Sequence, residues 1–260
     1  MFIDTHCHLD AIEFKGMQAD VVRNAQTVGV SRFVVPAVAS ANFESVRTLC
    51  EEYPCCAPAY GIHPMSVGDA RADDLDVLRE YLSQHRPVAV GEIGLDFFIE
   101  DYDQAGQEYF FVEQLKLARE FELPVLLHLR RAQDEVLKYL RQIKVQCGIA
   151  HAFNGSRQQA DEFIKLGFKL GFGGAMTYPR ASKLRGLAAT LPLESIVLET
   201  DAPDIPPEFL LRGLPNEPQY LPRSAQVLAD LRGLSLQEVA LVTTESALSV
   251  LPRLRATGER

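Results

Sequence analysis

Eight short apolar runs, each followed by a segment with helical spacing, restrict what this chain can fold into more than any other feature. The runs cover residues 2–4, 32–36, 56–61, 88–91, 124–128, 147–151, 169–173 and 195–199. Between them apolar residues recur at intervals of three and four, as one buried helix face requires. Met17, Val21, Val22, Ala25 and Val28 make one such stripe, Phe43, Val46, Leu49 and Cys50 a second, and Leu75, Leu78 and Leu82 a third. Others run through Phe111, Leu115, Ala118 and Phe121, then Val136, Leu137 and Leu140, then Ala160, Phe163 and Ile164, then Leu184, Leu187, Ala188 and Leu191. Strands that alternate with helices pair in parallel, because each crossover returns the chain to the same end of the sheet. Eight such units predict an α/β chain closed into a (β/α)8 TIM barrel, with a doubly wound open sheet as the alternative.

The whole chain, 1–260, reads as one barrel domain, with no repeat or linker. Six prolines (203, 206, 207, 215, 218 and 222) make 202–222 a stiff irregular loop, and 223–260 is expected to be helical. Within that tail, Ser235 and Glu238 form a capping box for a helix through Val239, Val242 and Leu248.

Lys and Arg number 26 against 35 Asp and Glu, a net charge of −9. That balance argues against coating nucleic acid by charge alone, since such binding needs cations to neutralise phosphates. It leaves room for one phosphate gripped by local arginines. No apolar run approaches the roughly 20 residues that cross a bilayer, and no basic stretch leads into an apolar one at the N-terminus. Five cysteines, with Cys55 and Cys56 adjacent, make a poor disulfide framework and suggest reduced thiols in the cytoplasm. A monomer without a stable protein partner is the default.

The chemistry lies where ionisable residues fall. His6 and His8 follow the first run, His128 and His151 end the fifth and sixth, and His63 lies just past the third. Glu92 follows the fourth and Asp201 the eighth. In a barrel these ends share one face, where active sites form. His6 and His8, one residue apart on extended chain, point the same way, while Cys7 points the other. Asp4 is near enough to orient or assist. Each residue alone has a plain structural reading: a histidine as a hydrogen-bonded rim residue, Glu92 or Asp201 as a helix cap. Together, four histidines and two carboxylates in one mouth suit two divalent cations, such as Mg, Mn or Zn. His6, His8 and Asp201 would hold one ion and His128 and His151 the other, with Glu92 bridging. Asp201 would also accept a proton from the attacking water. His85, in a polar stretch, reads as a solvated surface group.

Asp4-Thr5-His6-Cys7-His8, Gly61-Ile62-His63-Pro64, Gly91-Glu92-Ile93-Gly94-Leu95-Asp96, His128-Leu129-Arg130 and Glu199-Thr200-Asp201-Ala202-Pro203 resemble, in order, the motifs of the TatD family of metal-dependent hydrolases. Asn216-Glu217-Pro218 extends the resemblance into the proline-rich loop. Gly173-Gly174 with the segment 177–183 resembles a YjjV-like branch. The resemblance implies a barrel of the metal-dependent hydrolase type, a two-metal centre and deoxyribonuclease activity, often as a 3′→5′ exonuclease. It assigns the metal positions to His6, His8, Glu92, His128, His151 and Asp201, with Glu92 and Asp201 catalytic. Two departures stand out: Asn154 where Ser is usual, beside the site, and Ser246 where Asn is usual, in a terminal helix.

For the substrate, DNA or another phosphodiester, the expected contacts are His63, Arg130 and Arg180, because guanidinium forks match phosphate oxygens. Arg131, Arg157, Lys183 and Arg185 lie near in sequence; Lys183 and Arg185 read as ordinary helix-surface charge. The glycines of 171–174 serve close backbone approach, since no dinucleotide-binding spacing is present. Two alternatives share these residues. One is a metal-dependent amidohydrolase or esterase acting at a carbonyl, such as an aminoacyl-tRNA deacylase; the other is a metal-binding scaffold without catalysis.

Overall fold

In the computed structural model, which describes residues 1–258, all eight runs form strands of one parallel sheet. They are β1 (Phe2–Asp4), β2 (Val30–Pro36), β3 (Cys56–Tyr60), β4 (Ala89–Asp96), β5 (Val125–Arg130), β6 (Gly148–Ala150), β7 (Phe168–Phe172) and β8 (Ile196–Leu198). Each strand pairs with the next in sequence order. The ring closes where the Thr5 amide donates to the Leu198 carbonyl at 3.1 Å and Cys7 bridges to Ala202. The open-sheet alternative is thereby excluded, and the fold is a (β/α)8 barrel.

Alternation along the strands sorts the core into two layers. Ile3, Val34, Ala57, Ala89, Leu126, Ile149 and Val197 fill the barrel interior. Their neighbours Phe2, Phe33, Val35, Val90, Leu127 and Leu198 point outward to the helices. Each fully buried Val, Leu, Ile or Phe stabilises by roughly 1.5–3 kcal/mol.

The helices are α1 (Gln18–Thr27), α2 (Phe43–Glu52), α3 (Asp74–Gln84), α4 (Gln104–Glu120), α5 (Gln133–Ile143), α6 (Arg157–Lys165), α7 (Ser182–Thr190), α8 (Leu221–Arg232) and α9 (Leu236–Val250). The predicted stripes face the sheet, with trimmed ends. Met17 and Val28 flank α1 as its caps and are 47% and 45% exposed, because the helix face turns away from the barrel there. The Ser235–Glu238 box opens α9 as expected: Ser235 Oγ accepts from the Glu238 amide at 3.2 Å. α9 and the turn after it pack Ala247, Val250, Leu251 and Leu254 against the interior layer. Arg253 donates to the Pro87 carbonyl, just before β4, so this element closes the N-terminal end of the barrel.

Two boundaries differ from the sequence reading. β4 does not stop at Gly91 but runs to Asp96, because Ile93 and Leu95 pair with Leu127 and Leu129 of β5. Its register shifts between Val90 and Ile93, and Glu92 sits in that irregularity. The proline-rich loop ends early: α8 starts at Leu221 with Pro222 in its first turn, where the missing N–H costs no hydrogen bond.

Candidate metal centre

The C-terminal ends of the strands surround a cavity of about 1030 Å³. Glu92, only 2% exposed, is its hub. Glu92 Oε2 lies 3.2 Å from His6 Nε2 and 3.7 Å from His8 Nε2. Glu92 Oε1 lies 3.0 Å from His128 Nδ1, 3.4 Å from His151 Nε2 and 3.5 Å from His63 Nε2. Asp201 Oδ1 joins the first set, 3.7 Å from His6 Nε2 and 3.6 Å from His8 Nε2. All six residues expected as ligands therefore converge, with each Glu92 oxygen facing its own group of rings. Three triplets are close enough to share an ion: His6, His8 and Asp201; His63, Glu92 and His128; and His6, Glu92 and His151.

Local backbone explains the convergence. Past β1 the chain stays extended, so His6 and His8 share a face, and the buried Cys7 turns its sulfur to the Val34 carbonyl at 3.8 Å. Asp201 has φ 57°, a left-handed conformation that Asp tolerates better than most residues. Its amide donates to the His6 carbonyl at 2.8 Å. Asp4 is placed to orient, as expected: its Oδ1 accepts the His6 amide at 3.3 Å. Its carboxylate turns to Thr200, accepting from the amide at 3.0 Å and from the hydroxyl at 2.5 Å. It ties β1 to the segment that carries Asp201, and burial pushes its pKa up to about 7.

The electrostatics of the site set burial against the neighbouring carboxylates. Burial opposes charge on His8 and His151, yet the carboxylates outweigh it. His8 rises to about 9 beside Asp201 and Glu92, and His151 to about 10 beside Asp201, Glu199 and Glu92. Burial and the neighbouring His151 hold His6 below its ordinary value. Glu92 and Asp201 stay below the usual carboxylate range despite burial, because histidines surround them. The His6 ring stacks on His151 at 3.8 Å and 17°, a contact in which two protonated rings repel. Once deprotonated, these imidazoles and the two carboxylates form a nitrogen and oxygen donor set that fits divalent metal ions.

Residues 3–252 match the family described as TatD related DNase. The chain belongs to the TatD family. It is 43% identical over 243 residues to the uncharacterized metal-dependent hydrolase YjjV of Escherichia coli K12, which covers 92% of this chain and 93% of that one. Human deoxyribonuclease TATDN3 is 34% identical over 266 residues, 97% of this chain and 95% of its own. The crystal structure of Escherichia coli YjjV superposes with a TM-score of 0.93 at 40% identity, covering 96% of this chain and 98% of that one.

Two further carboxylates of this TatD chain stand behind the ring of histidines, and the sequence reading missed both. Asp96 Oδ2 lies 3.0 Å from His128 Nε2. Glu199 Oε1 accepts the Ala152 amide and lies 3.3 Å from His151 Nδ1, out of line for a hydrogen bond. Period-two alternation was the available clue: Asp96 follows Glu92 by four residues, and Glu199 precedes Asp201 by two. Gly171 makes room, since a side chain there would strike the Glu199 carboxylate.

The remaining TatD candidates divide between mouth and surface. His63 is buried in the mouth, and its Nδ1 accepts the Met65 amide at 3.1 Å. Burial holds it below its ordinary pKa. The neutral ring therefore carries its proton on Nε2, which makes it a donor toward the cavity. Arg130 lines the cavity, exposed, with its guanidinium 3.7 Å from the Phe98 ring centroid. Arg180 lies 5.4 Å over Tyr178 and outside the lining. Lys183, read as plain surface charge, does line the cavity, as does Asn154. Arg157 pairs with Asp161, and Arg185 donates to the Met176 carbonyl. Ser246 is buried and donates to the Glu194 carbonyl at 2.9 Å, a packing role. His85 caps α3 at the other end of the barrel, half-buried against Tyr81 at 4.8 Å rather than fully solvated.

Proposed function

We propose that the chain is a divalent-metal-dependent hydrolase of phosphodiester bonds, a TatD-type deoxyribonuclease that trims 3′ ends. The observation that carries this reading is the division of Glu92: one buried carboxylate faces two groups of imidazoles at the floor of a cavity. His6, His8 and Asp201 would hold one ion and His128 and His151 a second, with Glu92 shared. Two dications bound there would polarise a phosphoryl group and lower the pKa of a bound water.

The chain's own residues do the rest. Asp201 accepts the proton of the attacking water while it remains a ligand. His63 donates its Nε2 proton to a phosphate oxygen, a role its bond from Met65 supports. Arg130 presents guanidinium N–H groups to the phosphate, and Arg180, outside the cavity lining, meets only a longer substrate. Arginine at the mouth favours phosphate over a carbonyl substrate. Among the described residues no helix is long and apolar enough to cross a membrane. Five free thiols suit a reducing, cytoplasmic setting, and a monomer suffices.

The test offers 5′-labelled single-stranded DNA and a panel of carboxylic esters to protein loaded with Mg, Mn or Zn. Stepwise shortening that the His128→Ala variant loses supports the reading. Ester turnover with DNA intact moves the reaction to a carbonyl centre, and silence on every substrate at full metal occupancy leaves a scaffold.

A further inference from the structure

We infer that Phe98, Arg130 and Arg131 form a subsite for the nucleotide next to the scissile bond of a single-stranded polynucleotide; this rests on the phosphodiesterase reading above. The Arg130 and Arg131 guanidiniums lie 3.7 and 4.5 Å from the Phe98 ring centroid. All three residues line the cavity, and Phe98 is 44% exposed there.

Asp96 feels the charge of Arg130 but makes no contact ion pair with it. Asp96 is in register with Arg130 across β4 and β5, but both its oxygens are engaged. Oδ2 faces His128 Nε2 at 3.0 Å, and Oδ1 accepts the Phe98 amide at 2.9 Å. Among the described residues neither arginine has an ion pair. A guanidinium stacked over a ring keeps its in-plane N–H donors free, and these are the groups that clamp phosphate. The Phe98 ring offers a face to a base, and such stacking tolerates any sequence.

Charge around the mouth gives the strand a direction. In a closed ring of eight strands, the loops after β4 and β5 lie across from those after β8 and β1. The first pair carries Phe98, Arg130 and Arg131. The second carries Asp10, Glu13 and Asp204, which line the facing wall. An anionic chain is repelled from the acidic wall and drawn to the basic one, so it leaves the cage over Phe98.

The test measures binding apart from catalysis. A fluorescein-labelled oligothymidylate is titrated into metal-free protein over a range of NaCl, and anisotropy reports affinity. Phe98→Ala should weaken binding about tenfold, Phe98→Trp should restore it, and Arg131→Ala should reduce the salt slope by about 0.7. In metal-loaded protein, Phe98→Ala should raise KM for the same strand with kcat held within about twofold. Unchanged affinity and slope in Phe98→Ala and Arg131→Ala overturn the subsite. Hydrolysis indifferent to Phe98 overturns it too, while leaving the nuclease reading intact. Binding that depends on Phe98 without any nucleotide release sinks the nuclease, and with it the place of this ring beside a scissile bond. Failure of the parent protein to bind the strand, metal-free and metal-loaded alike, overturns both.

Discussion

Asp96 Oδ2 lies 3.0 Å from Nε2 of His128, whose other ring nitrogen lies 3.0 Å from Glu92 Oε1. The buried carboxylate sets the tautomer: with Nε2–H donated to Asp96, Nδ1 offers its lone pair to the cage. The same carboxylate accepts the Phe98 amide, so one residue aligns a proposed metal ligand and a rim side chain.

Replacing Asp96 with Asn should therefore weaken metal binding. Both neighbours of the carboxylate are N–H donors, and an amide can accept well from only one through its single oxygen. Titration calorimetry should show affinity reduced about 10–100-fold for one ion, with the melting temperature of the metal-free protein little changed. Wild-type affinity in this variant would refute the alignment role.

Glu92→Gln removes the charge shared by both groups of rings. Metal content measured by mass spectrometry should fall for both positions together, and kcat by at least about a thousandfold, more than 4 kcal/mol of barrier. Loss of one ion with the other retained would show that Glu92 serves a single position.

Metal binding should tighten as pH rises. In the metal-free protein His8 and His151 keep their protons to about 9 and 10, above the ordinary value of 6.5. A pKa raised by folding contributes stability that is full below about pH 6.5 and lost as pH climbs through 9 to 10. Melting temperature of the metal-free protein should thus fall across that window. A dication displaces those protons, so its affinity should rise over the same range with proton release, read by calorimetry in buffers of different ionisation heat. Proton uptake on binding would contradict this.

Asn216 pins the loop after β8. Its buried amide donates to the carbonyls of Thr200 at 2.8 Å, Asp204 at 3.0 Å and Ile205 at 3.3 Å. Asn216→Ala leaves those acceptors unpaired and should cost about 1–3 kcal/mol in urea unfolding. Because the same loop carries Asp201, kcat should fall as well. A variant with reduced stability but full kcat would separate the loop from catalysis.

Much of the site was legible along the chain because it rests on local periods. Alternation alone put His6 and His8 on one side and Cys7 on the other, and the sulfur indeed lies against the Val34 carbonyl. The reading failed where polarity was taken for a boundary: Glu92 looked like the end of a strand that pairing with β5 carries on to Asp96. For Asp4 it was incomplete: the carboxylate does hold the His6 amide, but its bonds to Thr200 were not visible in the sequence.

By itself the sequence determined the barrel, the face on which its ionisable residues gather and the family to which it belongs. Spacing and strand period are properties of short segments, so they survive without knowledge of the fold. Tertiary structure alone decided which nitrogen each histidine presents, which carboxylates stand behind the cage, and that two arginines share a ring instead of an acid. Such choices depend on groups far apart in the chain, Asp4 and Thr200 being separated by 196 positions. Their energies arise only once burial removes water as the competing partner.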